Sequence, residues 1–138
     1  KTIHGTGTRF VWMRVFSTYG PLDEGQWLIP YLVDNLSQGR EVALTHCEQE
    51  WNYLHAFDLV RAFRIVIEND SISGVVNAAN PATISLRKVV DMIASYFDRG
   101  DLLKIGALEY RKDQVMNLQV ESETLNSFGW RPIVDFAG

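Results

Sequence analysis

Residues 9–21 read Arg9-Phe10-Val11-Trp12-Met13-Arg14-Val15-Phe16-Ser17-Thr18-Tyr19-Gly20-Pro21. Up to Phe16 the run is aromatic or β-branched and is broken only by Arg14. A half-exposed strand would alternate polar and apolar residues, so this near-continuous stretch predicts a strand buried on both faces of a parallel sheet. Ser17 to Pro21 then reads as a loop.

The sequence beyond this stretch alternates between helical and strand patterns. Ile29, Leu32, Val33 and Leu36 recur at i, i+3, i+4 and i+7, which predicts a helix over about 26–38 that stops at Gly39. A short strand is expected over 41–45, and the polar and aromatic stretch 46–52 reads as a loop. A second helix is predicted from Asp58 to Glu68, with Leu59, Ala62, Phe63 and Val66 on one face. Residues 74–79 read as another buried strand. A third helix opens at Ser85, a good N-cap, and carries Leu86, Val89, Val90, Ile93 and Phe97 inward. The tail adds a strand near 102–105, a loop through Arg111 and a short helix over 122–127. Strands alternating with helices of this length predict an α/β fold with parallel pairing.

The 138 residues suffice for one domain with a real core, and 46% hydrophobic with 22% charged residues is the balance of a globular chain. A net charge of −4 argues against nucleic acid as the main partner. No apolar segment approaches the length of a bilayer span. The lone Cys47 cannot form an internal disulfide, so a cytoplasmic location is expected. His4, His46, His55 and Cys47 have no metal-ligand spacing. The chain opens without Met, with Lys1 to His4 resembling the tail of a helix, and reads as a piece of something longer.

Four blocks carry a resemblance. Arg14-Val15-Phe16-Ser17-Thr18-Tyr19-Gly20-Pro21 is similar to the R-x-F-N-x-Y-G-P signature of the extended short-chain dehydrogenase/reductase family, the nucleotide-sugar epimerases, dehydratases and reductases. Gly39, Val42 to Thr45, Glu48-Gln49, Trp51 to His55, Asp58 and Ala62 resemble its G-Q-R-D-F-x-x-V-x-D-x-x-x-A stretch. Val75-Val76-Asn77 resembles its Y-N strand. Arg111-x-Asp113, followed by Gly129-Trp130-x-Pro132, resembles its closing R-x-x-D…L-G-W-x-P. The loop reads most like the bacterial branch acting on CDP- or dTDP-linked deoxysugars.

The resemblance implies a partial Rossmann domain, the late strands of a parallel sheet, interleaved with a small α/β substrate-binding lobe. Residues 1–22 would end the Rossmann domain and 23–138 would form the substrate-binding region, with about 53–80 returning to the sheet. Val15 and Phe16 would border the nicotinamide of NAD or NADP. Ser17 stands where an Asn usually meets the nucleoside-diphosphate sugar, and Arg111 matches the arginine that reaches the diphosphate. Trp51 replaces another such arginine and is expected either to stack on a ring or to pack. Asn52 replaces the usual Asp. Arg14 would prop the active-site loop or form a structural ion pair, since a buried guanidinium must find partners. Tyr19 would be a core aromatic or lie near the ligand. Asp58 is expected as a helix-terminus carboxylate, Asp113 as the support of the Arg111 loop, and Cys47 as a packing residue near the usual loop glycine.

Neither a glycine-rich dinucleotide turn nor a Tyr-x-x-x-Lys pair occurs in the 138 residues. Both are expected upstream of Lys1, so the chain alone is expected to be inert and to retain no cofactor. A sheet cut at that point exposes strand edges, and self-association or a homo-oligomer is expected. A degenerate, non-catalytic dinucleotide-binding sensor is the alternative, motivated by Ser17, Trp51 and Asn52. A weaker reading is an enzyme of the same fold acting on a carbonyl compound that is not sugar-linked.

Overall fold

The computed structural model describes residues 7–136. The expected helix tail at Lys1 to His4 lies outside them. The elements in chain order are β1 (Val11–Val15), β2 (Ser17–Tyr19), α1 (Leu28–Ser37), β3 (Val42–Leu44), β4 (Glu50–Trp51), β5 (Tyr53–His55), α2 (Ala56–Glu68), β6 (Gly74–Ala78), β7 (Ile84–Ser85), α3 (Leu86–Tyr96), β8 (Leu103–Ile105) and α4 (Glu123–Ser127), with a 3-10 turn at Gly100–Leu102. The fold is α/β, and among the described residues three of the four strand pairs are parallel: β1 with β6, β2 with β5 and β3 with β8. The fourth, β4 with β7, is antiparallel.

Two apolar cores form. Leu54, Ala62, Val66, Ile72, Val76 and Ala78 fill the first, closed from the other end of the chain by Leu125 and Trp130. The second gathers Leu32, Leu36, Val42, Leu44 and Cys47 against Val90 and Ala94. The chain therefore passes from one core to the other and back. Helix periodicity explains the division, because the inward stripes of α1 and α3 meet each other, while that of α2 packs against β5 and β2 and shares the first core with side chains of β1 and β6.

The strand over 9–16 pairs in parallel as expected, yet it is not buried on both faces. Val11 and Met13 pack on the first core. Trp12, 60% exposed, and its register neighbour Val75, 52% exposed, lie on the uncovered face with Phe10. Among the described residues nothing is layered on that side, so an apolar run compatible with two covers receives one. Arg14 shares the exposed side, and no described residue hydrogen-bonds or ion-pairs with its guanidinium; the buried prop expected there is not formed.

Two stretches that read as loops contain short strands. Ser17–Tyr19 pairs with Tyr53–His55, helped by an edge-to-face contact of Tyr19 and Tyr53 with ring centroids 6.2 Å apart. Glu50–Trp51 is held by Ser85 and Ile84 and by a bridge to Asn117. Gly20, just past β2, has no room for a side chain, because a Cβ there would meet the Cβ of Ala56 at 2.9 Å.

Arg9 has a role that its place in an apolar run conceals. Its guanidinium donates to the carbonyls of Val66, Asn69 and Ile72 at 2.8, 3.1 and 3.0 Å, at the carboxyl end of α2. A cation there satisfies orphan carbonyls and complements the helix dipole.

Candidate functional site

Asn52 interrupts the chain between β4 and β5, and the interruption shapes the site. The side chain is 1% exposed. Its Nδ2 donates to the Asn80 carbonyl at 2.7 Å, and its Oδ1 accepts from the Asn80 amide at 2.9 Å. A carboxylate could accept the amide but would face the carbonyl with no proton, so asparagine suits this bracket where aspartate does not. Asn52→Asp is expected to lower stability by about 1–3 kcal/mol at neutral pH, the cost of a buried unpaired group. A protonated carboxyl restores the donor, so the deficit should shrink on acidification. Urea unfolding across pH checks this, and a pH-independent deficit would contradict it.

The bracket fixes Trp51 just ahead of β5, whose register sets Ser17 beside Tyr53. Across 34 residues of sequence the Trp51 indole Nε1 donates to Ser17 Oγ at 2.7 Å. Both side chains wall a hollow of about 480 Å³, with Phe16, Trp27, Tyr53 and Gln114 among its other walls. The hollow opens just past the carboxyl end of β1, where open parallel sheets bind ligands. Burial pushes the Tyr53 hydroxyl up from its ordinary 10.0 to about 12, with the Cys47 thiol adding to the rise, so Tyr53 presents a neutral hydroxyl.

The other expected site residues fall as follows. Phe16 lines the hollow, while Val15, on β1, is 40% exposed. Arg111 is exposed on a turn closed by the Gln114 amide donating to its carbonyl at 3.0 Å, so it stands next to the wall rather than in it. Asp113 is exposed and makes no hydrogen bond to a described residue. The Arg111 loop is anchored instead by Tyr110, whose hydroxyl accepts from the Glu48 amide at 3.0 Å and donates to Glu48 Oε2 at 3.2 Å. Tyr19 stays outside the hollow, against His55 and Phe136 with ring centroids 5.1 and 4.8 Å away. Burial raises its pKa, and the carboxylates of Asp135 and Asp58 add to the effect.

Asp58 does more than flank a helix terminus. The carboxylate is fully buried, pairs with Arg61 at 2.7 Å and accepts the backbone amides of Ile133 and Val134 at 3.0 and 2.9 Å. It pins the returning end of the chain onto α2. The N-cap of α2 is His55, whose Nδ1 accepts from the Phe57 amide at 3.2 Å.

Cys47 packs in the second core at φ 56, the left-handed region that favours glycine. Burial pushes its thiol pKa up, away from nucleophilic use. Ser122 was legible as a helix start, but its hydroxyl is spent on Ala79, accepting from the amide at 2.9 Å and donating to the carbonyl at 3.1 Å. Trp27 and Tyr53, both in the wall, were missed as site residues. The one available signal for Tyr53 was its period-two spacing from Trp51.

A sequence model of the NAD dependent epimerase/dehydratase family matches residues 2–79. The CDP-abequose synthase of Salmonella typhimurium is 27% identical over 133 residues, covering 92% of this chain and 44% of the relative. Among solved structures, the dTDP-glucose 4,6-dehydratase DesIV of Streptomyces venezuelae, with NAD and TYD bound, superimposes with a TM-score of 0.84 at 19% identity. That match covers 95% of this chain and 41% of the other. The dTDP-glucose 4,6-dehydratase of Bacillus anthracis in complex with NAD gives 0.80 at 21% identity, covering 92% and 40%. These structural likenesses establish the fold. The chain spans about two fifths of the length of the relatives it matches.

Proposed function

This chain belongs to the NAD dependent epimerase/dehydratase family, and from that membership we propose that it supplies the nucleotide-sugar side of the site in an NAD(P)-dependent nucleotide-sugar epimerase or dehydratase. The observation that carries the proposal is the Trp51–Ser17 hydrogen bond in the wall of a hollow at the carboxyl end of β1. Two positions from separate blocks of the family pattern, each departing from the usual residue, meet there. Residues 1–22 act as the end of the Rossmann domain and 23–138 as the substrate-binding region, with about 53–80 returning to the sheet. Arg111, exposed and uncommitted to any described partner, is the cation available to the diphosphate.

The residues present fit only one edge of a dinucleotide site. Val15 and Phe16 offer apolar surface to a nicotinamide, while a glycine-rich turn for its pyrophosphate is not among the 138 residues. A bound dinucleotide would supply the hydride acceptor for transient oxidation of a sugar hydroxyl. This chain's residues bind and orient the sugar nucleotide and exclude water from it. The catalytic Tyr-x-x-x-Lys pair is not in this sequence, so we assign turnover to the longer protein and binding to this part. The uncovered Phe10, Trp12 and Val75 surface favours self-association of the isolated chain.

Thermal-shift screening of the full protein against CDP-, dTDP-, UDP- and GDP-sugars tests the reading. A rise in melting temperature with at least one is expected, and no response to any of them ends it. A response to NAD(P) alone would favour the non-catalytic sensor. Light scattering on the 138-residue chain should read above monomer mass, and a stable monomer removes that part.

A further inference from the structure

We propose that the hollow walled by Trp51 receives an uncharged ring of the nucleotide sugar, base or sugar, and leaves the diphosphate at its rim. The inference rests on the binding role proposed above and specifies which part of the ligand enters. It begins from charge. Among the described residues, the only charged side chain in the wall is Asp23, a carboxylate. A diphosphate seated inside would face like charge and surrender its hydration without an arginine fork to replace it.

The first turn of α1 also borders the hollow, and a helix amino terminus can attract anions. Here Pro30 removes one amide and leaves those of Leu28 and Ile29, no cationic side chain stands beside them in the wall, and Asp23 offsets the dipole. What the wall does supply is aromatic: Phe16, Trp27, Trp51 and Tyr53.

The Trp51–Ser17 bond decides how that surface is used. With its only N–H given to Ser17, the indole can offer a ligand nothing but its ring surface. Ser17, having accepted, keeps its own proton to donate. With Thr18 and Gln114 it forms a polar edge beside the aromatic surface. Ring surface plus a few neutral hydrogen-bonding groups matches a base, or a sugar with an apolar face, and not an anion. Arg111 lies on the turn that Gln114 closes, outside the wall, where a diphosphate at the rim would meet it.

The test is competition for CDP-glucose and dTDP-glucose bound to the full protein, read by calorimetry, with cytidine, thymidine, glucose and inorganic pyrophosphate as competitors. A free nucleoside or the free sugar should displace the ligand and pyrophosphate should compete poorly; the nucleosides competing identifies the base as the ring, and glucose competing identifies the sugar. Trp51→Phe should hold affinity within a few-fold, whereas Trp51→Ala should lose about tenfold or more, the scale of one stacked ring. Trp51→Arg should not restore what Trp51→Ala loses.

Pyrophosphate competing while no free ring does overturns the inference and leaves the binding role intact. If neither sugar nucleotide nor any other in the screen binds, both fall together. Should the variants fail to fold, the competition on the unmodified protein still decides.

Discussion

Trp130→Ala is expected to cost about 3–5 kcal/mol, a large part of the about 5–15 kcal/mol that holds an ordinary domain together. The indole is 1% exposed and closes the first core beside Leu125, over α2 and β6. Its Nε1 donates to the Asp58 carbonyl at 3.2 Å, so truncation leaves a cavity and removes a buried hydrogen bond together. Trp130→Phe fills most of the space and should cost less than half as much. Urea unfolding monitored by circular dichroism measures both. A loss below about 1 kcal/mol for the alanine variant would mean that the carboxyl end is not packed as described.

Asp58→Ala is expected to cost about 3–5 kcal/mol, because removing the buried carboxylate strands the groups that donate to it, two backbone amides and a partly buried guanidinium. Those groups are the amides of Ile133 and Val134 and the Arg61 guanidinium. Asn at the position keeps an acceptor but gives up the charge, so Asp58→Asn should fall between wild type and alanine. Arg61 also donates to the Arg131 carbonyl at 2.9 Å, so all these contacts act on one segment. The double variant with Trp130→Ala should therefore lose clearly less than the sum of the two, since either change alone releases that segment. Strict additivity would show that the segment is held elsewhere. Native-state hydrogen exchange at Ile133 and Val134 gives the local readout, with protection lost in Asp58→Ala.

Periodicity read the large elements well, and it did so where burial is one-sided. The stripes on α1, α2 and α3 named most of their inward residues, although Val33 and Phe63 lie exposed, and the parallel pairing expected of the first apolar run is made with β6. Short strands are a different matter. Glu50–Trp51 has too few residues to show a period and exists because Ser85, Ile84 and Asn117 arrive from far along the chain. The uncovered face of β1 was equally hidden, since an apolar run looks the same whether one layer or two covers it.

At the candidate site, the family pattern supplied positions and the structure supplied relations. Ser17 and Trp51 were each legible as residues of interest, but their hydrogen bond spans 34 residues and depends on the register of β2 with β5. Asn52 looked like a lost charge and is a two-way amide bracket. Asp58 looked like a local helix feature, and its main partners lie 75 and 76 residues away. In each case the residue type set what bonds were available, and the long-range fold chose which were made.

The two interleaved cores impose a schedule on the nascent chain. During synthesis the second core has all its side chains once Ile105 has emerged, so it can close early around α1, α3 and the β3–β8 pair. The first core, begun sooner, must wait for Leu125 and Trp130 with Leu54, Val66 and Val76 still wet. A ribosome pausing between those two points would hold a chain with one core closed and the other still open to water.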